Sequence, residues 1–150
     1  MGAAVVNLAD ARLEPDPAPG RFAFRGDWVR EALGGELIGC GLYEFDPGTQ
    51  LWPYHYHRGN EEWLVVVAGT PTLRTPDGLR ALRPGDVVAF PDGEAGAHTL
   101  LNETGAVARV AIFSTLDKGS VVYPDSDKVG AGGKYFRAAD AVDYWDGEQP

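Results

Sequence analysis

The stretch Gly48-Thr-Gln-Leu-Trp-Pro-Tyr-His55-Tyr-His57-Arg-Gly-Asn-Glu61-Glu62-Trp-Leu-Val-Val-Val-Ala-Gly69 decides how this chain is read. His55 and His57 are two residues apart. Side chains alternate along a β-strand, so both rings leave the same face. Glu62 opens an apolar run, Trp63 to Ala68, closed by Gly69. If Glu62 faces inward there, so do Leu64, Val66 and Ala68, while Trp63, Val65 and Val67 face out. The chain has three histidines. The third, His98, lies in a second stretch punctuated by Pro91, Gly93 and Gly96.

Working outward, short strands and turns alternate. Strands are predicted over 37–45, 51–56, 62–68, 72–75, 79–82, 87–90, 98–101 and 107–114, with turns rich in Gly, Pro and Asp between them. Pro76-Asp77-Gly78 reads as a hairpin turn. Strands at this spacing, without a helical period, indicate an all-β sandwich or barrel. Before them, residues 1–35 read as an N-terminal arm. It contains the Pro-rich Glu14 to Gly20, a short strand at Ala4 to Leu8, a strand-like alternation at Arg21 to Arg25, and one helical turn from Asp27 to Leu33 capped by Asp27. Residues 36–116 form the barrel. Residues 117–150 form a tail: an extended Val121 to Lys128, a flexible link Gly130 to Gly133, and an aromatic segment with a helical turn over 138–144. Tyr135, Phe136, Tyr144 and Trp145 make a solvated tail implausible, so it is expected to pack on the barrel or on a second subunit.

Composition narrows the function classes. At 150 residues one domain with a sizeable core is expected. The net charge of −9 argues against nucleic acid or an anionic membrane surface as partner. No apolar run approaches the length of a membrane span, and the N-terminus lacks a basic segment before its apolar residues, so neither a span nor a secretory signal is expected. Cys40 stands alone and cannot form an internal disulfide, which makes a reducing, cytoplasmic location the expectation. Cys40 reads as a small buried residue.

A divalent transition metal needs imidazole and carboxylate ligands converging from separate parts of a rigid scaffold. His55, His57, Glu62 and His98 are the candidate ligands, with Glu61 the rival to Glu62. These residues resemble the two motifs of the cupins. The first is matched by Gly48, six residues against the usual five, His55-x-His57, four residues, Glu62, six residues and Gly69. The second is matched by Gly85, five residues, Pro91-x-Gly93, His98, three residues and Asn102. The gap from Gly93 to His98 is four residues against the usual two. The spacing to Gly69 favours Glu62, because a one-residue slip turns a side chain to the other face. The match spans about residues 36–116. More loosely, the tail resembles that of small bacterial single-domain cupins of unassigned activity.

The resemblance implies a double-stranded β-helix (jelly-roll) barrel, a site of three histidines and one glutamate, and frequent dimers. It implies one divalent transition metal ion per chain, of a type the residues leave open among Zn, Mn, Fe, Ni and Cu. Candidate walls of a pocket are Tyr43, Phe45, Trp52, Tyr54, Phe90 and Phe113, although each would also serve as core in any jelly roll. Arg109 and Tyr123 are candidates for substrate contacts, for a surface ion pair or for tail docking. The resulting expectation is a metal-dependent enzyme acting on a small molecule, of oxygenase, isomerase or lyase type. The alternative is a non-catalytic binding or sensing module with a structural metal. A homodimer is expected.

Overall fold

A computed structural model of the chain describes residues 2–116, 119–144, 146 and 147; Trp145 lies outside the described residues. Besides four 3-10 turns, thirteen strands and one short α-helix appear among them. They are β1 (Glu14–Pro15), β2 (Arg25–Asp27), α1 (Val29–Leu33), β3 (Ile38–Phe45), β4 (Gln50–Arg58), β5 (Glu62–Ala68), β6 (Thr72–Thr75), β7 (Gly78–Ala81), β8 (Val87–Phe90), β9 (His98–Leu101), β10 (Ala108–Thr115), β11 (Ser120–Tyr123), β12 (Lys128–Ala131) and β13 (Lys134–Arg137). All pairings are antiparallel. One sheet runs β1-β2-β3-β10-β5-β8 and the other β13-β12-β11-β4-β9-β6-β7. This is the all-β jelly roll that the strand spacing and motifs implied.

The core lies between the sheets. Tyr43, Phe45, Leu64, Val66, Phe90 and Val110 from the first meet Leu51, Leu73 and Leu100 from the second. On β5 the alternation holds for Glu62, Leu64 and Val66, but Ala68 is exposed. The reason is a bulge. Arg109 pairs with Ala68 and Val110 with Val66, so Val67 has no partner and the face changes beyond it. A second apolar cluster covers the outer face of the first sheet, where Leu13 and Val29 pack on Cys40, Leu42 and Ala111. Cys40 is a buried free thiol there.

The arm and tail differ from their sequence reading. Ala4 to Leu8 is not a strand, and Arg21 to Arg25 is a 3-10 turn over Gly20–Phe22 followed by β2. Helix α1 starts at Val29 behind Trp28, with no side-chain cap from Asp27. Gly130 to Gly133 is no flexible link. It forms the β12–β13 hairpin, whose turn residues Gly132 and Gly133 have φ of 56° and 75°, the left-handed pair that a two-residue hairpin turn requires. Strands β1 and β2 extend one sheet and β11 to β13 extend the other, so arm and tail are built into both. The arm is also clamped by Arg109. Its guanidinium donates to the carbonyls of Leu8, Ala9 and Ala11 at 2.7, 2.6 and 3.0 Å, and to Glu44 at 2.8 Å. Of the roles open to Arg109 in the sequence, this is an ion pair that docks the arm. No helix among the described residues is long and apolar enough to cross a membrane.

Strand β4 carries a larger irregularity that matters for the site. Leu51 faces Leu100 and His55 faces His98, so three residues, Trp52 to Tyr54, oppose Thr99 alone. Trp52 has φ of 58°, a left-handed conformation that costs a bulky residue on the order of 1–3 kcal/mol. The carbonyls freed by the bulge are met by buried side chains. Thr99 Oγ1 lies 3.1 Å from the Leu51 carbonyl and 2.8 Å from that of Trp52, and Gln50 Nε2 donates to Trp52 and to Thr99 Oγ1. Removing the Thr99 hydroxyl leaves these groups unpaired in the interior. Thr99→Val is therefore expected to lower stability by about 1–3 kcal/mol and Thr99→Ser by much less, as read by urea denaturation.

Candidate metal centre

Three of the four candidate ligands, His55, Glu62 and His98, come together between the sheets, and His57 stands beside Glu62. One ligating atom from each of His55, Glu62 and His98 lies within 4.8 Å of the other two. His57 Nε2 stands 3.2 Å from Glu62 Oε2, and His98 Nε2 stands 3.6 Å from the same oxygen. The atoms of His55, Glu62 and His98 are spaced as atoms that share one ion at about 2.0–2.2 Å from each would be, whereas His57 Nε2 donates a hydrogen bond to Glu62. Glu61 is not part of the group; its exposed carboxylate accepts a hydrogen bond from Trp63 Nε1.

Each buried ring is oriented by a carbonyl two residues upstream. Nδ1 of His55 donates to Pro53 and Nδ1 of His98 donates to Gly96, both at 2.8 Å. A carbonyl can only accept, so each Nδ1 carries the proton and each Nε2 keeps a lone pair. His98 Nε2 is buried and has no hydrogen-bond partner. A buried nitrogen with a free lone pair, 3.6 Å from a carboxylate, fits a metal ligand. Phe90 stacks flat on the His98 ring at 3.6 Å and holds it. The two extra residues before His98 supply this arrangement. With the rest of the four-residue gap they make room for a 3-10 turn, Glu94–Gly96, that brings the Gly96 carbonyl to Nδ1. A Cβ on Gly96 would sit 1.9 Å from the Pro91 carbonyl oxygen. No signal of metal ligation marks Pro53 or Gly96 in the sequence beyond their shared spacing from a histidine.

Burial sets the protonation of the group. It pushes His98 down to about 3 and also lowers His55. Burial alone would raise the Glu62 carboxyl, yet it lies below the ordinary range because His57 donates a hydrogen bond to it. Neutral imidazoles and an ionised carboxylate are the forms that bind a transition metal.

The inner cavity beside these ligands has a volume of about 240 Å³. Tyr43 and Trp52 line it, with Trp28, Ile112 and Tyr123. The other proposed wall residues lie elsewhere. Phe45 is fully buried in the core. Phe90 backs His98 instead of facing the cavity. Phe113 has the opposite parity to Ile112 on β10 and joins the outer cluster. Tyr54 sits with Tyr56 and Ala97 in a separate cluster, beneath the guanidinium of Arg74. Trp28, in the arm, and Ile112 are wall residues that sequence reasoning missed. The parity of β10 carried the signal for Ile112; nothing marked Trp28.

Comparison with known proteins agrees with this fold. The cupin-domain family model matches residues 41–114. No curated protein matches the chain. Among solved structures, a protein from Acidithiobacillus ferrooxidans, described provisionally as a sugar phosphate isomerase, is 24% identical. It covers 91% of each chain with a TM-score of 0.79. A cupin described as a sugar phosphate isomerase, from Silicibacter pomeroyi, is 24% identical over 95% of this chain and 98% of its own, with a TM-score of 0.77. A polyketide cyclase from Streptomyces resistomycificus is 21% identical over 75% of this chain and 79% of its own, with a TM-score of 0.62. The fold is that of the double-stranded β-helix proteins. This chain belongs to the cupin superfamily.

A pH dependence follows from His98. Unfolded, it takes a proton near 6.5; folded, not until about 3. Between these values the unfolded state binds more protons, so stability is lost as pH falls, at up to about 1.4 kcal/mol per pH unit for this one group. Chelator-treated protein is expected to lose about 1–2 kcal/mol between pH 6.5 and pH 5. Denaturant titrations of His98→Asn should show a shallower loss over that interval.

Proposed function

We propose that the chain is a metal-dependent enzyme acting on a small molecule, with His55, His57, Glu62 and His98 holding one divalent transition metal ion. The observation that carries this reading is the buried His98 Nε2. It lacks a hydrogen-bond partner and converges with His55 and Glu62 within 4.8 Å. A bound ion would act as a Lewis acid toward a substrate oxygen or activate a water. The chain's own residues do the rest. His55 and His98 present lone pairs in fixed tautomers. His55, His57 and Glu62 line the inner cavity. Tyr123 lies beside His55, ring centroids 5.9 Å apart, and its hydroxyl is pushed up to about 12 by burial and by Tyr135. Burial also raises Tyr43. Both phenols therefore stay protonated at neutral pH; the Tyr123 hydroxyl is engaged with Tyr135, and that of Tyr43 is free to donate to a ligand.

The open cavity favours an enzyme of oxygenase, isomerase or lyase type over a closed structural metal site. The similar proteins described as isomerases and a cyclase support chemistry on small molecules in this fold. A reducing compartment such as the cytoplasm suits the buried free Cys40. A homodimer suits the outer face of the first sheet, where Ile38, Trp63 and Val87 are exposed. Of the arm's aromatics, Phe24 packs inside this chain against Tyr43 and Trp52, whereas Trp28 remains exposed.

Elemental analysis of protein purified without chelators is expected to give about one transition-metal ion per chain, lost in His98→Ala. Absence of metal in the unaltered protein would sink the reading. Light scattering at micromolar concentration should give twice the chain mass, and Trp63→Glu should reduce it to the chain mass.

A further inference from the structure

Apart from the ligands, the inner cavity is walled mainly by aromatic and aliphatic side chains: Trp28, Tyr43, Trp52, Ile112, Val121 and Tyr123. None of the described residues lining it is a lysine or an arginine, and Glu62 is the one carboxylate among them. At about 240 Å³ it exceeds the roughly 150 Å³ of an apolar cavity that takes up benzene. One ring with a short substituent fills that space. A phosphate ester would find no guanidinium or ammonium to receive its charge. A sugar would bury several hydroxyls against walls that offer most of them no partner. Of the wall's own hydroxyls, that of Tyr123 is engaged with Tyr135. Those of Tyr43 and Ser114 are left for a ligand.

Tyr43 is fixed more tightly than packing alone requires. Its ring runs back along β3, and a Cβ on Gly41 would collide with its hydroxyl oxygen. A Cβ on Gly26 would stand 2.9 Å from the ring. Neither glycine has a positive φ, so the backbone does not call for glycine at these positions; the space for Tyr43 does. Gly41 pairs with Ile112 across β3 and β10, which sets the hydroxyl beside a wall residue of the inner cavity. Trp52 and Phe24 meet the ring edge to face at 4.6 and 5.7 Å. The residue is 7% exposed, yet no described residue hydrogen-bonds its hydroxyl. Nor is that oxygen sealed in: the fully enclosed side-chain atoms without a partner, among the described residues, are His98 Nε2 and Ser126 Oγ. An immobilised phenol with an unmet hydroxyl that opens on a cavity is placed to donate to a ligand there.

Aromatic walls favour a flat ring, which they can meet by offset stacking or edge contact. A donor hydroxyl held in place favours a group that only accepts, and a carbonyl oxygen is such a group. We propose that the inner cavity takes an uncharged molecule built on one flat ring that bears a carbonyl, with the ring beside Trp52 and the carbonyl oxygen accepting from the Tyr43 hydroxyl. This rests on the reading of the inner cavity as a metal-dependent small-molecule site. It also separates this chain from the sugar phosphates in the descriptions of the similar structures.

The test is calorimetric titration of the full chain, metal-loaded and chelator-treated, with three probes: acetophenone, its isostere α-methylstyrene, in which a methylene replaces the carbonyl oxygen, and glucose 6-phosphate. Acetophenone is expected to bind at least tenfold more tightly than glucose 6-phosphate in both forms. The Tyr43→Phe variant keeps the ring and loses only a hydroxyl without a protein partner, so the fold should survive. It should weaken acetophenone at least threefold, about what one hydrogen bond contributes, and leave α-methylstyrene unchanged. No binding of acetophenone, a preference for glucose 6-phosphate, an unaltered acetophenone affinity in the variant, or an equal loss for acetophenone and α-methylstyrene would overturn the proposal. A chain that binds acetophenone through Tyr43 but never holds metal would keep this inference and remove the proposed function. A metal-loaded chain indifferent to acetophenone would do the reverse.

Discussion

The structure depends on two imidazoles being held neutral in the interior, with their free nitrogens aimed at one carboxylate. His55 and His98 face each other across the β4–β9 ladder. Each is locked by a carbonyl two residues behind it. Burying such rings is unfavourable unless both nitrogens are accounted for. The fold satisfies Nδ1 and leaves Nε2 to the site. Much of the local irregularity serves that requirement: the turn before His98, the flat contact with Phe90, and the glycine at position 96 that nothing larger could replace.

The bulge in β4 is the counterpart on the other strand. A regular strand would have continued the ladder past Trp52. Here the chain accepts a left-handed Trp52 ahead of Pro53, and thereby brings the indole against Tyr43 at a ring separation of 4.6 Å. It also brings the Pro53 carbonyl to His55. The cost is local and is met by two buried side chains, Gln50 and Thr99. They are polar at core positions because the backbone around the bulge needs them. Site and support are one construction.

Much of this was legible in the sequence where period and spacing carry physical meaning. The boundaries of β5, β6, β8 and β9 follow from alternation and turn residues, and the His-x-His pair follows from the period of two. The spacing to Gly69 also separated Glu62 from Glu61, because a one-residue shift reverses the face. What stayed hidden depends on contacts distant in the chain. The bulge that turns Ala68 outward is visible only against β10, and the same holds for the parity that sends Phe113 to the outer cluster and Ile112 to the cavity. Gly130 to Gly133 looked like a linker because glycines say that a turn is possible, not that two strands flank it. Trp28 reaches the cavity through packing of the arm, which no local pattern encodes.

The clamp made by Arg109 has a consequence for the order in which the molecule can be assembled. Its guanidinium grips carbonyls at Leu8, Ala9 and Ala11, about a hundred positions earlier in the chain. The pairing of β3 with β10 likewise joins residues 38–45 to residues 108–115. During synthesis on the ribosome the arm therefore emerges first and waits longest. Its apolar residues can settle on Cys40 and Leu42 of β3, but the part of their surface made by Ala111 is missing until β10 has been made and has joined the sheet. The clamp itself is then among the last contacts of the protein to form.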